Sequence, residues 1–129
     1  MKLLLDTHVV IWFITEDQQL PDEIKTLIED PVHDCFVSVA SLWEMGIKYA
    51  LGKLDIAVSL TTIFDLISQS GIIALPITMT HILTHSQLPF IHRDPFDRLI
   101  IAQATTEACF LVSKDAAFDS YAVPLIWYA

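Results

Sequence analysis

Two aspartates lie where a parallel sheet places its ligand-binding residues. Asp6 follows a run of three leucines, and Asp115 comes three residues after an apolar run that ends at Val112. Ligands of open α/β sheets bind outside the carboxyl ends of the strands, so these carboxylates are predicted to lie side by side. For either aspartate alone, the alternative is that a charged residue simply terminates a strand.

A third acid, Glu44, lies on the clearest helix of the sequence, predicted over residues 39–54. Trp43, Ile47 and Leu51 recur at helical spacing and indicate the buried face, which leaves Glu44 to one side of it. Glu44 also stands four residues before Lys48, a spacing typical of a solvated ion pair. Taken alone, Glu44 is therefore interpreted as a surface residue.

A fourth acid, Asp97, stands at the start of a helix predicted over residues 94–108. Asp94 followed by Pro95 is a typical helix start, and Asp97 then falls in the first turn, where an acid interacts well with the helix dipole. Helical spacing also places Asp97 on the apolar face of Ile101. An acid at the end of a buried face needs a partner.

Four converging carboxylates would repel each other unless a cation lay between them. Oxygen ligands favour a hard ion such as Mg²⁺ or Mn²⁺, which aligns phosphate and activates water. This chemistry also suits the charge of the chain. Sixteen acids against seven bases give a net charge of −9, which argues against a broad basic surface for nucleic acid but suits a metal site or a basic protein partner.

Strands alternate with helices along the chain, which predicts an α/β fold with a central, mainly parallel sheet covered by helices on both faces. The 129 residues suffice for one domain spanning 1–129. Strands are predicted at 2–5, 35–37, 72–75, 109–112 and 123–126, and the remaining helices at 8–14, 21–30, 60–70, 78–87 and after Asp115. The order of the strands cannot be read from the sequence.

The compartment is expected to be the cytoplasm. No apolar run reaches the roughly 18 residues that a membrane helix needs, and the first residues lack the pattern of a signal peptide. The two cysteines form no CxxC pair and are interpreted as reduced core residues.

The sequence resembles the PIN-domain ribonucleases, specifically the VapC-type toxins of VapBC toxin–antitoxin pairs. Four blocks carry the resemblance in order over the whole chain: Leu3-Leu4-Leu5-Asp6-Thr7-His8, Ser38-Val39-Ala40-Ser41-Leu42-Trp43-Glu44, His92-Arg93-Asp94-Pro95-Phe96-Asp97-Arg98-Leu99 and Leu111-Val112-Ser113-Lys114-Asp115. The resemblance implies that Asp6, Glu44, Asp97 and Asp115 bind the metal and that Thr7 or Ser38 supplies a hydroxyl contact. It also implies an RNA substrate, a VapB-type antitoxin that blocks the site, and a homodimer.

Basic residues next to these acids are candidate substrate contacts, namely Arg93, Arg98 and Lys114. The roles of four further residues beside the motifs stay open: His8, His92, Asp94 and Asp119. The three tryptophans, Trp12, Trp43 and Trp127, are interpreted as core or interface residues, and the pair His81 and His85 as a surface pair.

Two other functions compete with the nuclease. A Mg²⁺-dependent phosphatase of small substrates would also use a strand ending in aspartate, but Asp6 lacks the second acid two residues later that haloacid-type phosphatases carry. A catalytically idle interaction module would be favoured if one of the four acids were missing, and all four are present.

Overall fold

A computed structural model describes residues 1–91 and 94–127 of the protein. Its five strands are β1 (Lys2–Leu5), β2 (Asp34–Ser38), β3 (Ile73–Leu75), β4 (Phe110–Val112) and β5 (Leu125–Ile126). They form one parallel sheet in the order β3-β2-β1-β4-β5. The chain therefore runs outward from β1 to one edge and then crosses to the other side, which leaves β1 and β4 as neighbours.

In the described part of the chain, six α-helices cover the two faces of the sheet: α1 (Thr7–Ile14), α2 (Asp22–Glu29), α3 (Val39–Ala50), α4 (Leu60–Gln69), α5 (Met79–Ser86) and α6 (Pro95–Glu107). A short 3₁₀ helix spans Ala116–Ser120. The predicted α/β class with helices on both faces is confirmed. Within the described ranges, no helix has both the length and the apolar character needed to cross a membrane.

The central strand β1 supplies side chains to both cores because alternate residues of a strand point to opposite faces. Leu3 and Leu5 pack in one core with residues of α1, α2 and α4. Leu4 packs in the other core with Ile100, Ile101 and Ala104 of α6. All three leucines are fully buried, which accounts for the unbroken apolar run before Asp6.

The predicted orientation of α3 is wrong. Trp43 is 63% exposed and Leu51 62%, whereas Glu44 is only 6% exposed and Met45 is fully buried. The helix ends at Ala50 rather than at residue 54, and Gly52 adopts a left-handed φ of 68° in the turn that follows. The apolar stripe therefore faces outward, and Glu44 is held inside the fold.

His81 does not lie on the surface, as its spacing with His85 suggested. It is fully buried between α5 and α6, where its Nδ1 accepts a hydrogen bond from the backbone N–H of Thr78 at 3.0 Å. Its Nε2 lies 3.0 Å from a carboxylate oxygen of Glu107 and donates to it, because Nδ1 is already an acceptor. His81 thus completes the cap at the start of α5 and ties that helix to α6.

Candidate active site

Asp6 joins the end of β1 to the start of α1. Its backbone N–H donates to the carbonyl of Val112 at 3.0 Å, which extends the pairing of β1 with β4. Its Oδ1 accepts a hydrogen bond from the backbone N–H of Thr7 at 2.8 Å and so caps α1. The buried carboxylate is thereby fixed at the carboxyl edge of the sheet.

Ser113 connects Asp6 with the segment that carries Asp115. The Ser113 hydroxyl donates to Oδ2 of Asp6 at 2.8 Å and accepts from the backbone N–H of Asp115 at 3.0 Å. Ser113 is fully buried directly after β4. The two strand-end aspartates, 109 residues apart in the chain, are thus linked through one side chain.

Glu44 reaches the same edge from α3. Its Oε1 accepts a hydrogen bond from the Thr7 hydroxyl at 2.8 Å, and its Oε2 pairs with the Lys48 ammonium at 3.0 Å. The predicted pair with Lys48 therefore exists, but Glu44 is buried rather than solvated, and Thr7 orients it toward Asp6.

The start of α6 brings two more aspartates to the site. Asp94 accepts hydrogen bonds from the backbone N–H groups of Phe96 and Asp97 at 2.9 and 3.2 Å, which confirms it as the helix cap. Asp97 follows in the first turn and is half-buried.

All four predicted acids line a single cavity of about 370 Å³. Its full lining is Asp6, His8, Val9, Trp12, Gln19, Glu44, Lys48, Asp94, Asp97, Lys114 and Asp115. Five carboxylates face two lysines, so the cavity is acidic. The backbone N-termini of α1, α3 and α6 lie at this edge, and their positive dipole ends partly offset that charge.

Burial raises the pKa of the Asp6 carboxyl above its ordinary value, and the negative charge of Glu44 adds a smaller effect in the same direction. The hydrogen bonds from Ser113 and from the Thr7 N–H oppose the shift, as does nearby His8. A positively charged group bound in the cavity would therefore stabilise the ionised Asp6 carboxylate.

The carboxylates are not already gathered into a ligand set. Among residues 1–91 and 94–127, no three His, Cys, Asp or Glu side chains are arranged to hold a metal ion. Thr7 and Lys48 engage Glu44, while Ser113 and Thr7 engage Asp6. The acids share one cavity, and their oxygen chemistry fits a hard divalent cation.

The predicted substrate contacts fall into different places. Lys114 is exposed and lines the cavity, whereas Thr7 is buried behind it as the donor to Glu44. The fully buried Ser38 caps α3 by accepting from the N–H of Ala40 at 3.0 Å and does not line the cavity. Arg93 and His92 lie outside the described residues.

Arg98 does not fit the prediction of a substrate contact. Its guanidinium is buried and donates to three backbone carbonyls, those of Pro89, His85 and Leu88, at 2.8, 3.3 and 3.4 Å. It also lies 4.8 Å from the ring centroid of Phe90. Because its donors are used in this way, Arg98 holds the segment between α5 and α6 in place.

Sequence reasoning missed three residues of this site. Ser113 had a detectable signal, because it is a polar residue directly after a strand whose end was predicted to meet Asp6. Lys48 was noted as a base near the acids and as the partner of Glu44 but not named as a site residue, and Trp12 was interpreted as a core or interface residue. Of the four residues left open, Asp94 and His8 line the cavity, and Asp119 is exposed outside it.

Solved structures with this fold come from several bacteria. VapBC2 from Rickettsia felis, bound to a promoter DNA fragment, matches with a TM-score of 0.72 and 18% identity over 98% of both chains. DNA-bound VapBC from Salmonella typhimurium matches with a TM-score of 0.69 and 16% identity over 98% of this chain and 97% of that one. VapBC-5 from Mycobacterium tuberculosis matches with a TM-score of 0.59 and 18% identity, covering 97% and 95%. At such identities the likeness establishes the fold.

Sequence comparison gives a broader assignment. No curated protein sequence matches significantly. The model of the PIN domain family matches residues 3–124, a range that contains every acid of the cavity. The chain therefore belongs to the PIN domain family.

Proposed function

We propose that this chain is a metal-dependent endoribonuclease, a single nuclease domain over residues 1–129 that acts in the cytoplasm as the toxin of a toxin–antitoxin pair. The observation that carries the proposal is the acidic cavity at the carboxyl edge of the sheet, which Asp6, Glu44, Asp97 and Asp115 all line. Membership of the PIN domain family supports nuclease activity, because its members are generally nucleases.

Asp6, Glu44, Asp97 and Asp115 would hold Mg²⁺ or Mn²⁺. When bound, the ion would neutralise phosphate charge and make water more nucleophilic. The chain's own residues prepare the site for this role. Ser113 and the N–H of Thr7 fix Asp6, and the Thr7 hydroxyl fixes Glu44. Asp97 and Asp115 are more exposed than Asp6 and Glu44, so a ligand that enters the cavity can reach them.

The two cavity lysines supply positive charge for the substrate. Lys114 is exposed at the rim, and Lys48 stands beside Glu44 with its ammonium 3.0 Å from the carboxylate. Both can contact the phosphates of an RNA strand that enters an otherwise acidic cavity. This arrangement allows an acidic protein to act on a polyanion, because recognition is confined to the cavity.

Metal dependence provides the direct test. A short RNA should be cut in millimolar Mn²⁺ or Mg²⁺ and remain intact in EDTA, and a DNA of the same sequence should resist. Mn²⁺ should also raise the melting temperature of the parent protein by mass action, with a smaller rise for Asp97→Asn. Cleavage that continues in EDTA would contradict the proposal. Equal metal shifts in parent and variant would remove Asp97 from the ligand set.

The proposed partner is a VapB-type antitoxin. The similar structures from Rickettsia felis, Salmonella typhimurium and Mycobacterium tuberculosis are VapBC toxin–antitoxin systems. The acidic cavity is complementary to a basic segment of such a partner. We also propose a homodimer, since the outward face of α3 and the α5 region expose large apolar side chains. They include Trp43, Leu51, Met79, Leu83 and Phe90.

A test of the partner is co-expression with the product of the neighbouring reading frame. The two proteins should co-purify and show little RNase activity. Raised salt should slow their association, because dissolved ions screen the attraction between opposite charges. If the proteins elute separately at low salt, the toxin–antitoxin assignment fails. The nuclease proposal would be unaffected by that result.

A further inference from the structure

Trp12 packs against the core on one side and faces the acid-lined cavity on the other. It lies on α1, six residues after Asp6, and lines the same cavity as the four acids. Its ring is only half-buried. Two rings lie near the indole of Trp12. The centroid of the Trp127 ring is 6.3 Å away at an interplanar angle of 52°, and that of the His8 ring is 5.8 Å away at 41°. Neither neighbour stacks flat on the indole.

The cavity continues past Trp12 rather than ending there. A second cavity of about 650 Å³ lies between α1 and the segment after α3. It shares His8, Trp12, Gln19 and Lys48 with the acid-lined cavity. The two therefore form one groove, with Trp12 at the junction. Each part is within the size range of small-ligand sites.

The second part of the groove is less acidic than the first, because two lysines balance its two aspartates. Lys48 lies at the junction, and Lys53 lines the second cavity a few residues after α3 ends. Asp17 and Asp55 line it as well, but Oδ1 of Asp17 accepts from the backbone N–H of Gln19 at 2.9 Å in a local turn. An aromatic ring on α1 thus lies across the groove from a lysine-bearing segment.

We infer that Trp12 forms a nucleobase-binding subsite, in which the base of a nucleotide next to the cleaved phosphate stacks on the indole. The inference rests on the proposed nuclease function for the identity of the substrate. Aromatic rings with lysines nearby bind single-stranded nucleic acid in this way, and every base has a face that can stack. Lys48 and Lys53 then contact the phosphates of the strand that continues along the groove.

The first experiment measures base recognition without catalysis. In a Trp43→Phe/Trp127→Phe protein, Trp12 is the only tryptophan and reports its own surroundings by fluorescence. AMP should quench its emission at a concentration about tenfold lower than ribose 5-phosphate requires, because only AMP has a base to stack. Equal titrations with the two compounds would overturn the inference. Quenching by a basic peptide but not by AMP or RNA would also overturn it, since the groove would then be a peptide site.

The second experiment links Trp12 to the substrate. In an RNA with a mapped cleavage site, one abasic nucleotide is moved along the sequence. At one position next to the cut it should lower kcat/KM of the parent about tenfold. Trp12→Leu should lower kcat/KM of intact RNA by a similar factor and make the abasic change harmless. Trp12→Phe should retain most activity, and Val32→Ala, which changes an exposed apolar residue outside both cavities, should match the parent.

The two experiments separate failure of this inference from failure of the nuclease function. One outcome is that the parent cleaves RNA and the abasic change lowers kcat/KM of Trp12→Leu by the same factor as it lowers kcat/KM of the parent. In that case the subsite is wrong and the nuclease proposal stands. If the parent cleaves no RNA but AMP quenches Trp12 at a lower concentration than ribose 5-phosphate does, the base site stands and the nuclease proposal fails. Melting temperatures of each variant confirm that the compared proteins are folded.

Discussion

Replacing Asp6 by Asn is expected to lower the rate of RNA cleavage at least about a hundredfold, since a ligand charge and the alignment of phosphate are lost together. The fold should tolerate the change. The Asn oxygen can still accept from the N–H of Thr7 and cap α1, and the Asn amide can donate to the Ser113 hydroxyl. The measurement is the single-turnover cleavage rate at saturating Mn²⁺, with a thermal melt of each protein.

Asp94→Asn is the matched control for Asp6→Asn. Asp94 lines the same cavity and also caps a helix, so both variants remove one charge from the cavity and replace one capping side chain. Asparagine caps as well as aspartate, and the cleavage rate should fall less than about fivefold. Parent-like cleavage by Asp6→Asn would contradict the site. Equal large losses in both variants would mean that total charge in the cavity matters rather than Asp6 itself.

The largest effect on stability is expected at Arg98. Arg98→Met keeps an apolar stem of similar length but leaves the carbonyls of His85, Leu88 and Pro89 without their donor. The free energy of unfolding should fall by about 3 kcal/mol, because buried groups lose charge-assisted hydrogen bonds. For a domain of this size the melting temperature should fall by about 10 °C.

Two variants test the structural role of Arg98 against a role in binding RNA. Arg98→Lys keeps the charge but lacks the planar guanidinium, so it should recover only part of the stability. Lys114→Met removes an exposed cation at the cavity rim and should change the free energy of unfolding by less than about 0.5 kcal/mol while raising KM for RNA. A stable Arg98→Met protein with a steeply raised KM would restore Arg98 as a substrate contact.

The position of Glu44 shows why sequence periodicity can fail at a functional site. The apolar stripe of α3 predicted that Trp43 and Leu51 would face the core, yet the opposite face is buried. Burial of Glu44 is made possible by two partners, the Thr7 hydroxyl and the Lys48 ammonium. Thr7 lies 37 residues earlier in the chain, and no local pattern reports such a contact.

Arg98 and Trp12 show in two ways that sequence position does not predict where a side chain points. Arg98 was expected in the site and lies outside it, whereas Trp12 was not expected there and lines the cavity. Arg98 stands next to Asp97 in sequence, but its side chain is directed to the backbone between α5 and α6. Trp12 lies in an apolar helix, but its ring lines the groove beside the acids. Proximity in sequence predicted neither, because the direction of a side chain depends on what packs against its helix.

The sequence by itself determined the alternation of strands and helices, the α/β class and the placement of Asp6 and Asp115 at one edge of the sheet. These features follow from local rules: unbroken apolar runs form buried strands, and parallel strands present their carboxyl ends together. Only the tertiary structure decided the order β3-β2-β1-β4-β5, the inward face of α3 and the link from Ser113 to Asp6. Those features depend on contacts between residues far apart in the chain, and such contacts stabilise the protein only once the helices have packed against the sheet.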